Sequence, residues 1–264
     1  QKFEGVSTDY QVSYFEDFSA PVTYNVKSTE RDLLKLSKID KNQFNKYFSV
    51  QTSAVNAIET DVLTEEFALS LKTVFKDEKV SDLMKAQILE PLNFNNLVEG
   101  KTEIDPVDLK NKVEKFKTFV GESLGLEFLN FIKESPLKPY SYTLKEKGHR
   151  ALHSRALDYV LASRTHKDEG AQILMDQFND SDNMTASFSC LLLSQKHQTS
   201  NSSEISQKFL NKYKSNGLTL QKWISAYLSC WNVETAIKRV KEVESMDEYS
   251  EKVPNFVRAL WGSF

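Results

Sequence analysis

The sequence predicts a mainly α fold of stacked antiparallel helices, an armadillo- or HEAT-like superhelix, preceded by a short β segment. Three observations predict it. Breakers are scarce: eight Gly and six Pro in 264 residues, below the roughly 7% and 5% of average usage. From Ser28 onward, apolar residues recur at three- and four-residue steps, as one face of a helix requires. Short polar loops separate these runs, which favours antiparallel packing of successive helices. A dozen or so helices without a strict sequence repeat fit a stacked array better than a single bundle.

The first elements are the exception. Gln11–Glu16 (QVSYFE) and Pro21–Val26 (PVTYNV) alternate apolar and polar residues and are rich in β-branched and aromatic types, as strands are. Two short strands cannot satisfy their own edges, so they are expected to complete a sheet whose other strands lie upstream. Residues 1–27 therefore read as the end of one domain and residues 28–264 as a helical domain.

Within the helical part, Ser28 or Thr29 can cap a helix through about Ile39. A longer helix follows from about Asn42, with Phe44, Phe48, Val55 and Ile58 as its expected buried members. Thr64 followed by Glu65 and Glu66 places an acceptor and negative charge at the positive end of the next helix. Asp105-Pro106 is a strong start signal: the aspartate caps, and proline takes the position where its missing N–H costs nothing. That helix is expected to reach Lys133 with Val113, Phe116, Val120 and Leu124 along one face, and Ser135–Tyr140 (SPLKPY) breaks the chain. Further helices are predicted over Leu144–Ser163, Asp168–Phe178, Asn183–Gln195, Ser203–Lys214, Leu218–Trp231 and Val233–Val243. In the Leu218 segment Leu220, Trp223, Ile224, Tyr227, Leu228 and Trp231 form an apolar stripe, read as core rather than as a ligand platform.

Composition excludes several functions. The 34 basic and 37 acidic residues give a net charge of −3 and are interspersed, which suits solvated helix faces and offers no field for nucleic acid phosphates. No apolar run approaches the roughly 20 residues needed to span a bilayer, and the N-terminus has no hydrophobic signal core. Neither a nucleic acid nor a membrane is expected as a partner. Cys190 and Cys230 sit among apolar neighbours; a disulfide between them is geometrically possible, but they read as buried free thiols, which suits a reducing compartment such as the cytoplasm. Asn183-Met-Thr and Asn201-Ser-Ser fit a glycosylation pattern that is weak without evidence of secretion.

Catalytic motifs are missing. His149 and His153 have the i, i+4 spacing of the zinc-binding His-Glu-x-x-His motif, but Arg150 occupies the place of its glutamate. A guanidinium opposes a metal and cannot accept a proton. No third ligand stands at a suitable distance, so the pair reads as an exposed helix face. The sequence has no glycine-rich phosphate loop and no Gly-x-Ser-x-Gly elbow.

Four segments in order carry a resemblance. Glu16–Val22 (EDFSAPV), Asn183-Met-Thr after the Phe178–Asp182 lead-in, Leu218–Trp223 (LTLQKW) and Pro254–Phe264 (PNFVRALWGSF) are similar to segments of the aminopeptidase N (alanyl aminopeptidase) family of zinc metallopeptidases. The bacterial-type branch fits best, and the likeness covers most of the chain from about Tyr10. It implies the end of a β-sandwich followed by a helical domain that covers the active-site chamber and restricts access to peptides. Zinc and the groups that activate its water would belong to the parent enzyme, and no catalytic or metal-binding residue carries over to this chain. The implied partners are the catalytic domain of the same polypeptide and peptide substrates. One site residue follows from the likeness: Arg258, in the Pro-Asn-x-x-Arg segment, is expected to face the chamber and attract a peptide carboxylate. The family continues beyond the Gly-Ala-Phe that Gly262–Phe264 resembles, so the helical domain is expected to be truncated at its end. The alternative is a non-enzymatic helical-repeat adaptor that binds a protein partner.

Overall fold

The computed structural model describes residues 4–5, 10–14, 28–90, 97–98, 101–229, 232–250 and 253–261. Among them lie twelve principal helices: α1 (Glu30–Ile39), α2 (Gln43–Thr60), α3 (Glu65–Lys76), α4 (Asp82–Ile88), α5 (Pro106–Glu134), α6 (Leu144–Ala162), α7 (Lys167–Asp180), α8 (Met184–His197), α9 (Ser202–Tyr213), α10 (Gly217–Leu228), α11 (Val233–Glu244) and α12 (Pro254–Trp261). No strand occurs among the described residues. Gln11–Tyr14 have no regular secondary structure. The rest of the expected β segment, through Val26, lies outside the described residues, as do Cys230 and Trp231.

Helix starts follow local hydrogen-bond chemistry. The Thr29 hydroxyl accepts from Asp32 N–H at 3.2 Å while the Asp32 carboxylate accepts from Thr29 N–H at 2.9 Å, a reciprocal capping box. Asn42, Thr64, Ser81, Asn183, Asn216 and Asn232 each place a side-chain oxygen on first-turn amides of the helix they precede. Asp105 does the same for α5, accepting from Val107 and Asp108 N–H at 2.9 and 3.0 Å. Helix α4 was not anticipated; its signal is the Ser81-Asp82 start.

The chain divides into two compact units, residues 1–124 with 142–155 and residues 125–141 with 156–264. In the first, α2 packs on α1 and α4, and α1 on α3. Phe67 on α3 meets Phe116 on α5 with ring centroids 5.6 Å apart. The second is organised around α8 and α10: α8 meets α7, α9 and α10, and α10 meets α9, α11 and α12. Its core includes Phe128, Leu174, Leu191, Phe209, Ile224 and Leu260, all fully enclosed.

Helix α2 corrects the predicted core. Phe44 and Phe48 are 44% and 40% exposed, and Val55 is half-buried. Ile58 is buried as expected, and the rest of the buried stripe is Asn45, Lys46, Ser49, Val50, Ser53, Ala54 and Ala57. Small side chains at these i, i+3 and i+4 positions let neighbouring backbones approach closely, and the bulky rings are displaced to the rim. Lys46 is buried because its ammonium has work there. Nζ donates to the Ser37 and Lys38 carbonyls at the end of α1, at 3.3 and 2.8 Å, and to the Asp77 carboxylate at 3.2 Å. In α5, Phe116, Val120 and Leu124 are buried as expected, and Val113 is half-buried.

Three glycines, Gly125, Gly148 and Gly170, set close approaches. A Cβ on Gly148 of α6 would lie 2.8 Å from the backbone nitrogen of Leu83 in α4, so only glycine fits that crossing. A Cβ on Gly125 of α5 would collide with the His166 ring.

Candidate functional site

The residue singled out for function, Arg258, sits on α12. Proline opens this helix, and Phe256, Ala259 and Leu260 are its buried members, at 7%, 5% and 0% exposure. Their spacing of three and four puts them on one stripe, which packs on α10. Arg258 falls off that stripe and is exposed, as is Asn255. Among the described residues a ring stack and an ion pair fasten the approach to α12. The Phe256 ring stacks on Tyr249 with centroids 6.2 Å apart and planes 23° apart. Lys214 Nζ lies 2.7 Å from a Glu248 carboxylate oxygen; the hydrogen bond between them is the largest cause that raises the lysine pKa and lowers the glutamate's. An exposed guanidinium held this way offers a planar fork of donors to a carboxylate.

A second cluster lies in the interior of the same unit, and sequence reasoning missed it. The Asp158 carboxylate on α6 accepts from Lys196 Nζ at 2.8 Å on both oxygens and from His197 Nε2 at 2.6 Å. The three side chains are 5%, 23% and 7% exposed. Burial pushes the Asp158 pKa upward. The His197 hydrogen bond and the Lys196 and His197 charges outweigh it, so the carboxyl is held far below the usual carboxylate range. Lys196 and His197 occupy the last turn of α8, where cations also meet the negative helix end. Gln198 then closes the helix in the left-handed region at φ 46°. This geometry fixes the end of α8 on α6 rather than presenting a reactive group.

The histidine pair is not the exposed face the sequence implied. His153 is 2% exposed. His149 is half-buried, with Nδ1 3.4 Å from the Asp82 carboxylate, and the two rings lie 6.2 Å apart by centroid. The turn of α6 against α4 at Gly148 draws both histidines inward. The donors present do not fit a zinc ion: among the described residues no three His, Cys, Asp or Glu side chains converge as ligands would.

The remaining motifs resolve as structure. Asn183 accepts from Ala186 N–H and caps α8. Asn201 Nδ2 donates to the Ala171 carbonyl at 2.6 Å, which engages the nitrogen a glycan would need. Cys190 is 5% exposed, and burial pushes its thiol up to about 12. Trp223 is 5% exposed, stacks on Tyr227 at 4.7 Å, and donates from Nε1 to Ser206, as a core tryptophan does. Among the described residues no helix is long and apolar enough to cross a membrane.

Comparison with known proteins decides the family. A profile described as a domain of unknown function (DUF3458_C) made of ARM repeats matches residues 30–264. The chain belongs to the DUF3458_C family. Like its profile, the DUF3458_C chain is a helical repeat. It is similar to aminopeptidase N of Escherichia coli, 24% identical over 261 residues, covering 94% of this chain and 29% of that protein. Similarity to aminopeptidase N of Haemophilus influenzae is 21% over 258 residues, with the same coverage of 94% and 29%. The DUF3458_C chain thus spans less than a third of the length of these relatives. Its fold matches part of the crystal structure of Legionella pneumophila aminopeptidase A in complex with aspartic acid, with a TM-score of 0.81 at 22% identity, covering 95% of this chain and 31% of that one.

Proposed function

We propose that this chain is the non-catalytic helical portion of a zinc aminopeptidase that removes N-terminal residues from peptides in the cytoplasm. The observation that carries the reading is the pairing of coverages: aminopeptidases N match 94% of this chain with only 29% of their own length. The chain itself carries no His-Glu-x-x-His motif, so the zinc and the groups that activate its water belong to the rest of the polypeptide. In this reading the helices cover the active-site chamber and restrict access to peptides, and residues 1–27 complete a β-sandwich. The exposed rings of Phe44 and Phe48, with Ile39 58% exposed on α1, support a face of the first unit that meets another part of the protein. Arg258, on the exposed side of α12, draws the carboxylate of a peptide toward the chamber.

The test compares the full-length polypeptide with this 264-residue chain on an alanyl-anilide substrate with added zinc. The full-length protein is expected to release aniline and to lose that activity on chelation, and the chain alone is expected to release none. Turnover by the chain alone would overturn its non-catalytic role. A full-length protein without hydrolysis would leave the adaptor reading in its place.

A further inference from the structure

We propose that Tyr249 is a positioning residue for Arg258, an inference that rests on the carboxylate-attracting role given to Arg258 above. Helix α12 has eight residues, and a helix shorter than roughly 12 residues is marginal by itself in water. The direction of Arg258 is therefore set by what the buried stripe of α12 rests on, not by the helix alone. Ala259 and Leu260 hold the far end of that stripe in the core. Near its start, the chain enters through the Ser250 carbonyl accepting from Val253 N–H at 3.0 Å, and Phe256 lies against Tyr249.

Among the described residues an ion pair and a ring stack fasten this approach, and their environments rank them. The Lys214–Glu248 pair is 48% and 31% exposed on its two side chains, where water and salt screen it and little orienting force remains. The Tyr249–Phe256 stack instead covers a ring that is 7% exposed and sits two residues before Arg258. Two residues along a helix is a turn of about 200°, so a shift of Phe256 swings Arg258 on the opposite side. Removing the Tyr249 ring frees Phe256 to settle into the vacated space, and α12 rolls with it. The stack is made by the ring, which phenylalanine in place of Tyr249 retains.

The experiment uses the full-length polypeptide and two substrates, a short alanine peptide with a free C-terminal carboxylate and the same peptide amidated. Arg258→Ala is expected to raise KM for the free acid by about fivefold, the scale of one partly exposed charge pair, with little change for the amide. Tyr249→Ala is expected to reproduce that selective rise with kcat retained on both substrates, and Tyr249→Phe to behave as the natural protein. If Arg258→Ala shifts KM for the free acid while Tyr249→Ala does not, the positioning role fails and the Arg258 role stands. If Arg258→Ala leaves both substrates unchanged, the carboxylate role fails and takes the positioning role with it. A loss of kcat on both substrates in Tyr249→Ala, restored by Tyr249→Phe, would make Tyr249 a general structural support and overturn the proposal.

Discussion

Asp158→Asn is the most informative single change in this molecule. The amide keeps the size of the carboxylate but removes the anion that holds Lys196 and His197 at the end of α8. It also turns one acceptor oxygen into a donor facing donors. Breaking a buried ion pair by removing one partner costs about 3–5 kcal/mol. Lys196 is 23% exposed and can turn its ammonium toward water, whereas His197, at 7%, cannot. The expected loss is therefore about 3 kcal/mol, the low end of that range. Trp223 is buried in the second unit and the sequence places no tryptophan in residues 1–124 or 142–155, so urea unfolding followed by tryptophan fluorescence reports on the unit that holds the cluster. The midpoint should fall with the slope unchanged. Replacing Lys196 as well, by Met, should cost less than the sum of the two single changes, because the second removes a charge the first left unpaired. The pH dependence supplies a sign. The folded pKa of Asp158 lies below the ordinary 3.8, so its contribution is fully present above that value and lost as pH falls below it. The gap between natural protein and variant should shrink by about 1.4 kcal/mol for each pH unit below the unfolded pKa of Asp158. A loss under about 1 kcal/mol, or a gap that does not narrow between about pH 4 and pH 3, would refute a stabilising buried anion.

Two further changes probe the first unit. Lys46→Met removes the ammonium that serves the Ser37 and Lys38 carbonyls and Asp77, and should cost about 2 kcal/mol from unpaired buried acceptors. The loss should lower the midpoint of urea unfolding followed by far-ultraviolet dichroism, and an unchanged midpoint would contradict it. Gly148→Ala forces a methyl onto the Leu83 backbone and should destabilise by about 1–3 kcal/mol through overpacking. Because Gly125→Ala meets only the side chain of His166, it should cost less, and thermal melts that rank the two the other way would show that the α4–α6 crossing can yield.

Helix positions were legible in the sequence where their cause is local. A cap is a hydrogen bond between a side chain and an amide two or three residues away, so Thr29, Thr64, Asp105 and Asn183 announce α1, α3, α5 and α8 without any knowledge of the rest. The same holds for the missing zinc motif, where Arg150 beside His149 is enough. Exposure of Arg258 also follows from local spacing, because Phe256, Ala259 and Leu260 claim the buried stripe of α12.

Only the tertiary structure decided which faces are covered and which charges meet. Periodicity counts apolar residues but cannot see a neighbour's shape, so it assigned Phe44 and Phe48 to a core that accepts Ser49 and Ser53 instead. His149 and His153 went inward because Gly148 admits α4 to contact, a fact held by Leu83 far upstream. Asp158 meets Lys196 and His197 across 38 and 39 residues, a separation over which no pattern in the chain carries information. Burial and charge pairing are properties of surfaces brought together, and those surfaces exist only once the helices have packed.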